Sequence, residues 1–174
     1  TSKYNSSPYV PKGMKYVESL GAKALYVISL GTNDSESGEQ NVPIGSPKTV
    51  NDRTTFYGAL NYIVTEVNRI APSAYVLLVS AFDVSVNIEY RINAPKYIAS
   101  LYKNAIFIDI TEELKKITKY TRDGHYVTFG YYSIGAIIDS VGGKAIAENE
   151  NAWLDIGNAN VNSTVTNINP YEKA

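Results

Sequence analysis

The one histidine of this chain, His125, lies in the run 121-TRDGHYVTFGYYSIGAII-138, two residues after Asp123 and just before an apolar stretch. Imidazole is the side chain that gains and loses a proton near neutral pH, so acid–base chemistry of that kind here falls to His125. A carboxylate close to it, as Asp123 is in sequence, can hold the ring tautomer and stabilise the imidazolium. A second run, 25-LYVISLGTNDSESG-38, carries apolar residues straight into Gly31, Thr32, Asn33 and Asp34. Gly, Asn and Asp are turn formers, and a strand followed by a turn accounts for their types. In open parallel sheets, ligands sit just beyond the carboxyl ends of strands, where this tetrapeptide falls, which makes it a candidate site.

The elements that must position these residues follow from periodicity. Residues 1 to 10 read as an extended entry, interrupted by proline, and 12 to 20 as a short helix. Leu25 to Leu30 is a buried strand, and the polar stretch 32 to 53 a long loop. From Thr54, the apolar residues Phe56, Leu60, Ile63, Val64, Val67 and Ile70 keep helical spacing, with Asp52 or Asn51 as cap and Ala71-Pro72 as the stop. Ala74 to Ser80 is a second buried strand, 94 to 103 a helix, and Ala105 to Ile110 a third strand. Thr111 is placed to cap a short helix with Glu112 and Glu113 in its first turn. After a polar turn at 120 to 125, Gly130 to Ala147 is helical through Ile134, Ile137, Ile138 and Val141.

Alternating helices and near-continuously apolar strands predict an α/β fold: three layers, a flavodoxin-like parallel sheet with helices on both faces. Residues 1–149 form that domain, and 150–174 an Asn-rich tail or docking arm, whose VNSTVTNI run suits an edge strand or a neighbouring subunit.

Composition narrows the functions. A net charge of −1 without a basic stripe argues against phosphate-driven nucleic-acid binding. No apolar run approaches a membrane span, so no membrane partner is expected. The absence of cysteine removes disulfides, thiolate metal sites and cysteine nucleophiles together. Asp34, Glu36 and Glu39 do not follow calcium-loop spacing and read as a solvated acidic loop, so no metal site is expected. The 15 tyrosines suit a surface that meets sugars or protein partners. Tyr126, Tyr131 and Tyr132, near His125, can line a sugar-binding cleft, or Tyr131 can pack in the core.

An apolar strand leading into Gly31-Thr32-Asn33-Asp34, then alternating helices and strands, then His125 followed by Gly130-Tyr131, resembles the SGNH (GDSL) hydrolase family. The first tetrapeptide matches the family's third block, and His125 its fifth. The resemblance covers Ala22 to Val141 and implies ester hydrolysis without metal or organic cofactor. It implies His125 as general base, Asp123 as its orienting acid, Asn33 as side-chain donor to the oxyanion, and Gly31, Thr32 and Tyr126 at the substrate. A carboxamide suits the donor role because it presents a fixed dipole where negative charge develops.

Two features depart from the family pattern. The acid ordinarily stands three residues before the histidine, and that position here is Arg122. No Gly-Asp-Ser block precedes Gly31. Ser80 ends a strand but lacks the flanking glycines of a nucleophile elbow, Ser140 lies late in a helix, and Ser6 and Ser7 sit in the extended entry. The expectation is therefore a nucleophile on a segment preceding Thr1, and a small acyl-ester or glycan substrate. The alternative is a non-catalytic glycan- or receptor-binding or structural module on the same scaffold, as in a phage tail or capsid fibre. An extracellular or virion-associated setting suits either.

Overall fold

The computed structural model describes residues 13–32, 42–80, 90–117, 119, 121–122, 125–126 and 128–158. For 121–122, 125–126, 129 and 150–158 only the backbone is described. In chain order the elements are α1 (Met14–Ser19), β1 (Leu25–Ile28), one 3-10 turn (Pro47–Thr49), α2 (Phe56–Ile70), β2 (Tyr75–Val79) and α3 (Tyr90–Ser100). Then come β3 (Ala105–Ile108), α4 (Thr111–Lys116), β4 (Thr121–Arg122), β5 (His125–Tyr126) and α5 (Thr128–Asn158).

β1, β2 and β3 form a parallel sheet in that order, with Val27 opposite Leu77 and Leu77 opposite Ile106. Successive side chains of a strand point to opposite faces, and the central strand is apolar on both. Val76 and Leu78 pack with Leu60, Val64 and Val67 of α2 and Ala94 and Ile98 of α3. Leu77 and Val79 join a second cluster with Ile108, Ile110, Leu114 of α4, and Ile134 and Ile146 of α5. Two cores, one per face, make the three layers that the alternating pattern predicts. Burying a side chain such as Leu77 or Leu78 is worth about 1.5–3 kcal/mol relative to exposure, so β2 anchors both.

α2 shows how the loop before it is held. The first N–H groups of a helix lack partners within it. Here the amides of Phe56 and Tyr57 donate to the carbonyls of Pro43 (2.8 Å) and Ile44 (3.2 Å), and that of Gly58 to the Thr55 hydroxyl (3.1 Å). Thr55 is thus the cap, in place of Asp52 or Asn51. Asp52 instead accepts from the hydroxyl (2.7 Å) and amide (3.0 Å) of Thr54, and these bonds lower its pKa. Its backbone runs so close to α2 that a Cβ on Gly58 would overlap the Asp52 carbonyl. At the other end of β2, the Asn104 amide nitrogen donates to the Ala74 carbonyl (2.6 Å) and the Asn68 side chain (2.8 Å).

Three boundaries differ from the sequence reading. α3 begins at Tyr90 and ends at Ser100, so Pro95 lies inside the helix instead of near its start. Proline has no N–H to donate within the helix, so α3 lacks one of its internal bonds at this position. At α4, Thr111 is the first helical residue, and its amide (3.0 Å) and hydroxyl (2.6 Å) both donate to Asp109. That carboxylate, not Thr111, covers the free N–H. α5 continues 31 residues to Asn158, well beyond Ala147. A helical period in the sequence is a sign of one apolar face and not of helicity itself, so its end at Ala147 does not mark the end of the helix. The VNSTVTNI run lies outside the described residues.

Candidate functional site at the carboxyl edge of the sheet

Because the three strands are parallel, Gly31, Ser80 and Asp109 follow their carboxyl ends on one edge of the sheet. That edge is stitched by polar groups. The Ser80 amide donates to the Ile108 carbonyl (3.1 Å), and the Ser80 hydroxyl accepts from the Ile110 amide (3.0 Å). The Ser29 hydroxyl donates to the Ser80 carbonyl (3.3 Å), tying β1 to β2. Ser80 is only 1% exposed. A hydroxyl buried to that degree and accepting a backbone N–H is a structural link between β2 and β3.

Gly31, three residues beyond β1, has φ at 106°, a region that disfavours side chains. A Cβ there would also stand 2.9 Å from the ring of Phe56. The ring of Tyr90 meets Phe56 edge-on, 5.4 Å between centroids. Its hydroxyl donates to the Gly31 carbonyl (3.2 Å). Arg91, 7% exposed, donates from Nε to the Gly31 carbonyl (3.0 Å) and from Nη2 to the Thr32 carbonyl (2.6 Å). A buried guanidinium must have its N–H groups bonded, and bonds from a charged donor are the stronger kind. Two consecutive residues of α3 thus grip the end of β1.

Gly31 and Thr32 are accordingly held where strand-end ligand sites lie. Asn33 and Asp123 lie outside the described residues, as do the side chains of His125 and Tyr126. The backbone of His125 belongs to β5, which pairs antiparallel with β4, Arg122 opposite His125 and Thr121 opposite Tyr126. That register leaves two residues, 123 and 124, between the paired positions. Asp-Gly in such a place is the sequence signature of a two-residue hairpin. α5 follows within two residues and packs against β5, β3 and β2. In its first turns Tyr131 is 57% and Tyr132 75% exposed, so Tyr131 is not a core residue.

Periodicity missed Tyr90, Arg91 and Ser29. For Arg91 no local signal was available, since its partner at Gly31 lies 60 residues away. Among the described residues, no three His, Cys, Asp or Glu side chains gather as a metal site requires. Nor is any helix among them long and apolar enough to cross a membrane.

No protein-family model matches the chain, and no curated protein matches it. A solved crystal structure is similar in fold, with a TM-score of 0.55 at 22% identity, over 74% of this chain and 70% of that one. The protein is an α/β protein built on a three-strand parallel sheet with helices around it.

Proposed function

We propose that the chain is the histidine-bearing part of an SGNH-type serine ester hydrolase acting on acyl or acetyl esters, carbohydrate-linked ones included. The observation that carries the reading is the delivery of Gly31-Thr32 to the carboxyl edge of a parallel sheet, with the run Asn33-Asp34 next in the chain. In this reading His125 takes the proton from a serine hydroxyl supplied by polypeptide outside these 174 residues. The alkoxide adds to the ester carbonyl, and the Asn33 carboxamide donates to the resulting oxyanion. Collapse expels the alcohol, which takes its proton from the imidazolium. Water, deprotonated by the same imidazole, then releases the acid. Asp123 orients His125.

A second reading, a non-catalytic glycan- or receptor-binding module, draws support from the exposed rings of Tyr131 and Tyr132. Such rings offer flat apolar faces to a sugar.

Ester turnover by the full-length protein separates the two. A fluorophosphonate probe labels one serine if the hydrolase reading holds, and His125→Ala lowers kcat by about 10²–10⁴-fold. Turnover unchanged in His125→Ala removes the imidazole from the chemistry. Absence of both labelling and turnover in the wild type, with saturable glycan binding lost in Tyr132→Ala, favours the binding module.

A further inference from the structure

We infer that Arg91 is a positioning residue for the site: it fixes the peptide planes on which the carboxyl end of β1 leaves the sheet. The kinetic part of this inference rests on the ester-hydrolase reading; the structural part does not. A peptide unit is planar and trans, so a donor that holds a carbonyl also sets the amide of the following residue. Nε of Arg91 holds the Gly31 carbonyl, and Nη2 the Thr32 carbonyl. The first of the two planes carries the amide of Thr32, and the Thr32 carbonyl is the acceptor just before residue 33 in the chain. In sequence, the next residue is Asn33, which the hydrolase reading makes its oxyanion donor.

Three features suit Arg91 to this task. Its side chain and Gly31 are both buried, which shields the bond to the Gly31 carbonyl from water. The planar guanidinium spans two acceptors at once with a fixed geometry, which an ammonium on a flexible stem does not. Gly31, at φ 106°, is a position without side-chain restriction, where the backbone has more alternatives to exclude than elsewhere. Tyr90 adds a second donor on the Gly31 carbonyl, while the edge-on contact with Phe56 holds its ring. The grip also joins the N-terminal turn of α3 to the end of β1, two elements on either side of β2 in the chain.

The test uses the full-length protein with Arg91→Lys and Arg91→Ala. Backbone nitrogen shifts and amide exchange are followed at residues 32 and 33, with Leu77 and Leu78 as internal controls. Both variants are expected to displace the shifts at 32 and 33 and to speed exchange there by about tenfold or more, with protection at Leu77 and Leu78 kept. kcat for ester turnover falls by about 100-fold, the scale of a small misplacement of a catalytic group, while KM stays within about threefold. Guanidinium ion added to Arg91→Ala restores part of kcat, which a general loss of stability would not allow. Unchanged shifts and exchange at 32 and 33 in Arg91→Lys overturn the inference, even if Arg91→Ala does not fold. If the wild type turns over no ester, the hydrolase reading falls, and the shifts alone decide whether Arg91 fixes these planes.

Discussion

Ser80→Ala separates a structural serine from a catalytic one. The hydroxyl it removes accepts the Ile110 amide at 3.0 Å, and both Ser80 and Ile110 are buried. No water reaches the vacated position, so the Ile110 N–H keeps its desolvation cost without a partner. Leaving one buried backbone donor unsatisfied costs about 1–3 kcal/mol. Taking about 2 kcal/mol, and about 2–4 °C per kcal/mol for a domain of this size, the midpoint of thermal unfolding drops by about 4–8 °C. Circular dichroism melts measure the drop, and hydrogen exchange at Ile110 localises it. Ester turnover at a temperature where both proteins are folded stays within about twofold of wild type, on the view that the hydroxyl does no chemistry. A midpoint shift under about 1 °C with Ile110 still protected refutes the reasoning about the buried bond. Turnover abolished at an unchanged midpoint refutes it more seriously, because Ser80 would then be the nucleophile.

Two further outcomes follow from the approach to α2. Gly58→Ala gains about 1 kcal/mol of helix propensity, yet the added methyl overlaps the Asp52 carbonyl. Overpacking against backbone costs about 1–3 kcal/mol, so urea denaturation should show net destabilisation, and a rise in the midpoint concentration would contradict the close approach. Asp52 has its pKa lowered first by the Thr54 hydroxyl and then by the Thr54 amide. The stability it supplies is therefore full above the unfolded aspartate value of about 3.9 and is lost as pH falls through the lower folded value. Asp52→Asn should flatten that part of the acid-side decline in a melt series from about pH 5 to about pH 2; an identical decline removes Asp52 from the balance.

How far the fold was legible depends on what each residue reports. β2 announces itself because a strand covered on both faces has no polar side to show, as in 74-AYVLLVS-80, whereas β1 is equally apolar in sequence but leaves Val27 exposed. α2 is legible because one face is buried, leaving Leu60, Val64 and Val67 at helical spacing. The reading stops short at α5, which runs on to Asn158 with no apolar period in the sequence to mark it. Pro95 misled in the other direction, since proline favours a first turn but lies within α3. Of the candidate site, the placement of Gly31 was legible from strand and turn chemistry. The grip on it was not, because Tyr90 and Arg91 meet Gly31 only through the folded chain. The pairing of Arg122 with His125 goes beyond the polar turn that the sequence predicts over 120 to 125, because strands of two residues are too short to show an apolar alternation.

The two-faced character of β2 has a consequence for how its alignment is chosen. Shifting the strand by one residue would exchange the occupants of the two cores, placing Leu77 and Val79 where Val76 and Leu78 now pack. In a half-polar strand such a slip is forbidden because it drives polar groups inward. Here both alignments would bury comparable hydrocarbon, so greasiness alone discriminates poorly between them. Selection falls instead to directional bonds at the two tips, where Asn104 meets the Ala74 carbonyl and Ser80 meets the Ile110 amide. These few polar atoms act as end stops, telling an otherwise slippery segment where to halt.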